Sequence, residues 1–152
     1  MTGTNFSDWY NASEGAFVTQ VSLLNISAGH LLTAFQGYSD VMRVRMLSSI
    51  PTANITVGGA SQFNSTSQGS LGAITTNEIF SSALAYKQND TSFAAKGVSV
   101  STDTSVNLVT APSRLAIGSL DNVGSGSMTG HMRRVFYYPQ RLSNAEIAAF
   151  SK

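Results

Sequence analysis

Three glutamates, two histidines and one Gly-Ser-Gly segment are the residues of this chain whose types suit catalysis. Hydrolysis of a glycosidic bond ordinarily takes two carboxyl groups about 5 to 10 Å apart. On a strand, residues i and i+2 or i+4 share a face and would supply such a pair. Glu14, Glu78 and Glu146 have no carboxylate two or four residues away. Glu146 is accounted for by a helix cap, and Glu14 by the turn before a strand. No Gly-x-Ser-x-Gly elbow is present to expose a serine nucleophile. His30 and His131 lie in apolar strand patterns, where an imidazole more often serves as a hydrogen-bonded structural group than as a base. Gly124-Ser125-Gly126 lacks the lysine and the strand-turn-helix setting of a phosphate loop and reads as flexible loop. No catalytic residue is expected, and the chain is not expected to be an enzyme.

Composition narrows the remaining classes. The 152 residues suit one domain, residues 1–152, able to bury most of its apolar surface without a staple. Cysteine is absent, which excludes thiol chemistry, zinc-thiolate sites and disulfides, and fits synthesis in a reducing cytoplasm. A formal charge of +1 with 11% charged residues gives no field for a polyanion, so nucleic acid is not an expected partner. No apolar run approaches the length of a membrane span, and the N-terminus has no basic segment followed by an apolar core. Neither membrane insertion nor a signal peptide is therefore expected. The polar surface must come from Ser, Thr, Asn and Gln. Six Asn-x-Ser/Thr triplets, at Asn5, Asn11, Asn25, Asn54, Asn64 and Asn89, are expected to be unmodified polar loops.

The elements that must position any site read as short strands. Alternation over Ala16 to Leu23 predicts a half-buried strand, and His30 to Phe35 predicts a short apolar one. Gln36-Gly37-Tyr38-Ser39-Asp40 is the turn after it. Val41 to Leu47 places Met42, Val44 and Met46 inward and Arg43 and Arg45 outward. Pro51 is expected to break the chain before Asn54 to Val57 and a Gly58-Gly59 turn, and Ser65 to Gly72 reads as loop. Glu78 to Lys87 is the longest candidate, with Phe80, Leu84 and Tyr86 on one face. A Gln88-Asn89-Asp90 turn leads into Thr91 to Ala95. Gly97 turns the chain into Val98 to Thr102, Arg114 to Ile117 follows Pro112, and Asp121 to Gly126 is loop. Met128 to Tyr138 is a last strand stopped by Pro139. Strands at this spacing predict an all-β sandwich or barrel. One helix is signalled, at the C-terminus, where Ser143-Asn144-Ala145-Glu146 is a capping box and Ile147 and Phe150 share a docking face.

The closing run from Gly130 to Ile147, GHMRRVFYYPQRLSNAEI, resembles the ending of laminin-G-like jelly rolls of the concanavalin A-like superfamily. Trp9-Tyr10-Asn11-Ala12-Ser13-Glu14-Gly15, Ala83 to Asp90 and Arg114 to Gly118 carry the same likeness. More narrowly, the chain resembles the jelly-roll domains of tailed-phage virion proteins of the tail-fibre type. Residues 48–76 match nothing in that pattern. The resemblance implies a two-sheet antiparallel jelly-roll sandwich with a short C-terminal helix, in a virion protein made in the bacterial cytoplasm. It implies a domain that binds the host surface, carbohydrate above all. The alternative is a capsid decoration or accessory subunit bound to other virion proteins. A homo-oligomer, with a trimer favoured, fits either role.

Sugar hydroxyls are met by amide and hydroxyl side chains at little desolvation cost, and by aromatic faces. Tyr38, in a turn beside Gln36 and Asp40, is the first candidate contact, followed by Asp40, Asn89 and Asn122. Trp9, matching a strand position of the family, is expected in the core. Tyr86, Phe93, Phe136 and Tyr138 are expected to be core or inter-sheet. No cofactor is expected. Laminin-G-like relatives often hold calcium on loop oxygens, which leaves Asp40, Asp90, Asp103, Asp121 and Asn122 as possible ligands, although no dense Asp-x-Asp cluster is present.

Overall fold

The computed structural model describes residues 1–68, 73–98, 100–121, 124 and 126–152. Among them, ten strands form two five-stranded antiparallel sheets. Sheet I takes β1 (Glu14–Asn25), β6 (Ile79–Lys87), β7 (Thr91–Ala95), β8 (Ser101–Asp103) and β10 (Thr129–Tyr138) in the order β10-β1-β6-β7-β8. Sheet II takes β2 (Ala28–Gly37), β3 (Asp40–Leu47), β4 (Ile50–Val57), β5 (Ala60–Asn64) and β9 (Arg114–Ile117) in the order β5-β4-β3-β2-β9. Helix α1 (Thr4–Ser7) precedes the first strand and α2 (Asn144–Phe150) follows the last.

The inner faces follow the alternation of the sequence. Met42, Val44 and Met46 of β3 meet Phe17, Val21, Phe80, Leu84, Tyr86 and Phe93 of sheet I in one core. Each such large side chain, taken fully from water, contributes about 1.5 to 3 kcal/mol. One end of this core is aromatic. Phe6 of α1 is buried, stacks on Tyr10 at 4.6 Å and meets Trp9 edge-on at 5.2 Å. Trp9 in turn packs against Tyr137 at 4.9 Å. The Tyr86 hydroxyl donates to the Asn11 carbonyl at 2.7 Å, so a buried phenol keeps its bond while tying the N-terminal segment down. Gly15 makes this possible, since a Cβ there would stand 2.5 Å from the Tyr86 Oη.

Helix α2 covers the outer face of sheet I. Ser143 caps it with the expected reciprocal bonds: the Glu146 amide donates to the Ser143 hydroxyl at 3.3 Å, and the Ser143 amide donates to the Glu146 carboxylate at 2.7 Å. The Ser143 hydroxyl, which also donates to the Glu146 carboxylate at 2.7 Å, and then the Ser143 amide hold that carboxyl below its ordinary pKa. Ile147 is fully buried against Ala16, Val18, Ala83, Ala85 and Ala94, small side chains that let a helix approach the sheet. Arg141 locks the approach. Its Nη2 donates to Asp90 Oδ1 at 2.6 Å, to Ser92 Oγ at 2.9 Å and to Asn144 Oδ1 at 2.8 Å.

Several local expectations are corrected. Pro51 does not interrupt the chain: β4 runs through it, paired with Met46, because extended backbone accepts proline near a strand start. The turn lies earlier, at Ser48 and Ser49, both at positive φ (49° and 68°). Asn54 therefore lies in a strand and is buried, not in a loop. Strand β5 and helix α1 carried no recognised signal, and the expected strand at Val98 to Thr102 is reduced to Ser101–Asp103, with Ser99 outside the described residues. Trp9 lies in the turn after α1 and is only partly buried. Phe136 is 47% exposed, since it points outward from the edge strand β10, and Tyr138 packs outward against Phe150 at 5.7 Å.

Candidate functional site

The outer face of sheet II is built differently. Because Met42, Val44 and Met46 face the core, Val41, Arg43 and Arg45 face out. Register then assembles the rows beside them. Arg43 lies between Thr33 of β2 and Asn54 of β4, and Arg45 between His30 and Thr52. Val41 lies between Phe35 and Thr56, and Arg114 of β9 stands beside Phe35 with its guanidinium 4.3 Å from the ring centroid. Thr33, Thr52 and Asn54 are buried although they point away from the core. The partly exposed groups at the centre of this polar face are the guanidiniums of Arg43 and Arg45.

Ser119 and Gly126, between β9 and β10, close over one side of that face. Thr33 Oγ1 donates to the Ser119 carbonyl at 3.1 Å, and the His30 amide donates to the Gly126 carbonyl at 2.8 Å. Gly126 has φ +58° and leaves no room for a Cβ, which would stand 2.6 Å from His30 Nδ1. Burial, the largest influence, pulls the His30 pKa below 6.5; the Gly126 carbonyl and Asp121 oppose this, and Arg43 and Arg45 add to it. A cleft of about 640 Å³ follows β9, with Arg114, Ala116, Ser119, Asp121 and Met128 in its walls.

Tyr38 and Asp40, taken from the sequence as contacts, border this face. Tyr38 sits in the β2–β3 turn at 69% exposure, stands edge-on to Phe35 at 5.3 Å, and donates its hydroxyl to Asp121 Oδ2 at 2.9 Å. That carboxylate raises the phenol pKa. Asp40 has a structural bond as well, accepting from the Gly58 amide at 2.9 Å. Asn89 belongs elsewhere, in the β6–β7 turn of sheet I, where a positive φ of 56° and an amide bond to the Val106 carbonyl give it a backbone task. Asn122 lies outside the described residues. The structure thus brings Tyr38 and Asp40 together and not Asn89. Alternation in the sequence turns Arg43 and Arg45 outward, but an arginine on an outward strand face carries no local mark of a site.

Other groups are separately engaged. Glu14 accepts from the Arg141 amide at 3.3 Å and lies 3.7 Å from Lys87 Nζ. Glu78 pairs with Lys96 at 2.6 Å and accepts from Thr75; these contacts, that of Lys96 first, hold its pKa at about 2. Asp90 serves Arg141, and Asp103 accepts from the Ser105 amide at 2.8 Å. Among the described residues no three His, Asp or Glu side chains gather as metal ligands. His131 is exposed on the edge strand β10.

No protein-family model matches the sequence, and no curated protein does. Solved structures do match the fold. The chain is similar to CBM40 of the Ruminococcus gnavus IT-sialidase bound to α2,3-sialyllactose, with TM-score 0.73 and 13% identity over 93% of this chain and 83% of that one. It is similar to domain 4 of AbnA, a GH43 extracellular arabinanase of Geobacillus stearothermophilus in complex with arabinotriose, with TM-score 0.72 and 9% identity over 93% and 68% of the two chains. Mouse laminin α1 domains LG4-5 match with TM-score 0.63 and 11% identity over 88% of this chain and 38% of that one. The architecture is therefore a two-sheet antiparallel jelly-roll sandwich, concanavalin A-like, with a short C-terminal helix.

Proposed function

We propose that this domain binds carbohydrate without cleaving it, on the outer face of sheet II. One observation carries the reading: at the centre of that face Arg43 and Arg45 stand partly exposed among buried, hydrogen-bonded Thr33, Thr52 and Asn54, with the exposed ring of Tyr38 at the rim. Sugars are recognised by this combination of polar groups and an aromatic edge. Support comes also from the similar folds that hold sialyllactose and arabinotriose. The likeness of the closing segment to phage jelly rolls extends the proposal to its carrier, a tailed-phage virion protein, and to its target, a glycan of the host surface. A trimer would multiply weak contacts into avidity.

The test is a glycan array followed by calorimetry on the hits. Binding is expected, with Tyr38→Ala weakening it at least tenfold and no sugar released on long incubation. An array without hits, or release of sugar, overturns the reading. A second reading, an accessory subunit held by other virion proteins, draws on exposed Phe136 of β10 and Phe150 of α2. Phe136→Ser would then abolish virion incorporation while glycan binding persisted.

A further inference from the structure

We infer that the glycan is anionic, with a carboxylate or sulfate seated on the guanidinium pair of Arg43 and Arg45. This rests on the reading of the outer face of sheet II as a glycan site. The two arginines occupy alternate positions of β3, so they share a face at about 7 Å along the strand. One planar anion can engage both forks across that spacing.

Nothing among the described residues already does so. The ion pairs found there are Lys87–Glu14, Lys96–Glu78 and Arg141–Asp90, none of which includes Arg43 or Arg45. Their cross-strand neighbours are Thr33, His30, Thr52 and Asn54, with no carboxylate. Thr52 donates its hydroxyl to the Arg45 carbonyl, and the Asn54 amide nitrogen donates to Ser61 and to the Phe63 carbonyl. The Nε atoms of Arg43 and Arg45 are buried and have no partner among the described residues. Burial, and then the charge of Arg45, pulls the Arg43 pKa down.

Arg141 shows how this chain treats an arginine with a structural task. Its guanidinium donates to Asp90, Ser92, Asn144 and the Leu142 carbonyl. Two like charges kept half-buried and side by side, with no acid paired to them among the described residues, are unfavourable in the free protein. A bound anion removes that penalty, and a neutral sugar does not. The patch is small and the chain nearly neutral, which favours one acidic group on a sugar over an extended polyanion.

The experiment compares matched pairs of oligosaccharides by calorimetry at two salt concentrations: sialylated and desialylated, uronate and its reduced form, sulfated and desulfated. At least one acidic member is expected to bind tenfold or more tightly than its neutral match, and the paired arms tell carboxylate from sulfate. Arg43→Gln/Arg45→Gln should erase the preference without loss of stability, and the double lysine variant should restore it in part. Equal binding of acidic and neutral sugars, or a preference that survives the double glutamine variant, overturns the inference and leaves the glycan reading standing. Equal binding of DNA and of every acidic glycan also overturns it. Failure of every sugar overturns both.

Discussion

On sheet I the outward residues of β1, β6 and β7 include Ala16, Val18, Ala83, Ala85 and Ala94, and Ile147 of α2 seals them. On sheet II the outward residues at the centre are Thr33, Arg43, Arg45, Thr52 and Asn54. The two sheets share strand count and a common core, so the difference is one of side chains alone. Small apolar residues let the chain's own helix approach and remove apolar area from water. Two arginines whose Nε atoms have no partner among the described residues favour an outside partner. One face stabilises, and the other recognises.

If that division holds, damage to the first face should cost stability and leave recognition intact. Ile147→Ala is expected to lower unfolding free energy by about 3 kcal/mol, read by urea titration, with glycan affinity unchanged below the transition. A loss of affinity in the folded variant would break the division. Arg141→Met removes the clamp between α2 and β7 and should cost about 2 kcal/mol, with the same silence in binding. His30 sharpens the comparison through pH. Its folded-state pKa lies below 6.5, so the stability it contributes is full above pH 6.5 and is lost as pH falls through the folded value. A His30→Gln variant should flatten that part of the stability profile. In the wild type, anion binding should strengthen over the same range, as a third positive charge joins Arg43 and Arg45, with Asp121 the acid opposing it. The smallest effect is expected at Arg43 itself. Arg43→Gln relieves a like-charge contact and should change stability by no more than about 0.5 kcal/mol, in the stabilising direction.

Much of this was legible in the residues. Alternation over 41–47 assigned both faces of β3 correctly, and Ser143 with Glu146 marked the helix start to the residue. Phe80, Leu84 and Tyr86 share the buried face as their spacing implied. Proline at 51 misled because its cost depends on which amide the ladder needs, and that depends on a partner strand the sequence does not name. Phe136 misled because its apolar character was visible and its place on an edge strand was not. Within the site, Tyr38 was recognisable as an aromatic in a turn. Alternation turns Arg43 and Arg45 outward, but Thr33, His30 and Asn54 come beside them through the register of the β2–β3 and β3–β4 hairpins, which the turn positions set. The absence of a neutralising acid beside them, among the described residues, is a property of register, invisible to local pattern.

Strand β3 has a final consequence. The same five residues, Met42 to Met46, fill the interior and present the guanidinium pair, so slippage by a single residue would exchange the two sets. An unfolded chain therefore has no receptor, and ligand must act on the folding equilibrium by mass action. At a hundred times its dissociation constant, ligand should add about 2.7 kcal/mol to unfolding. A melting-temperature screen can thus search for the natural sugar without label, surface or assay of activity.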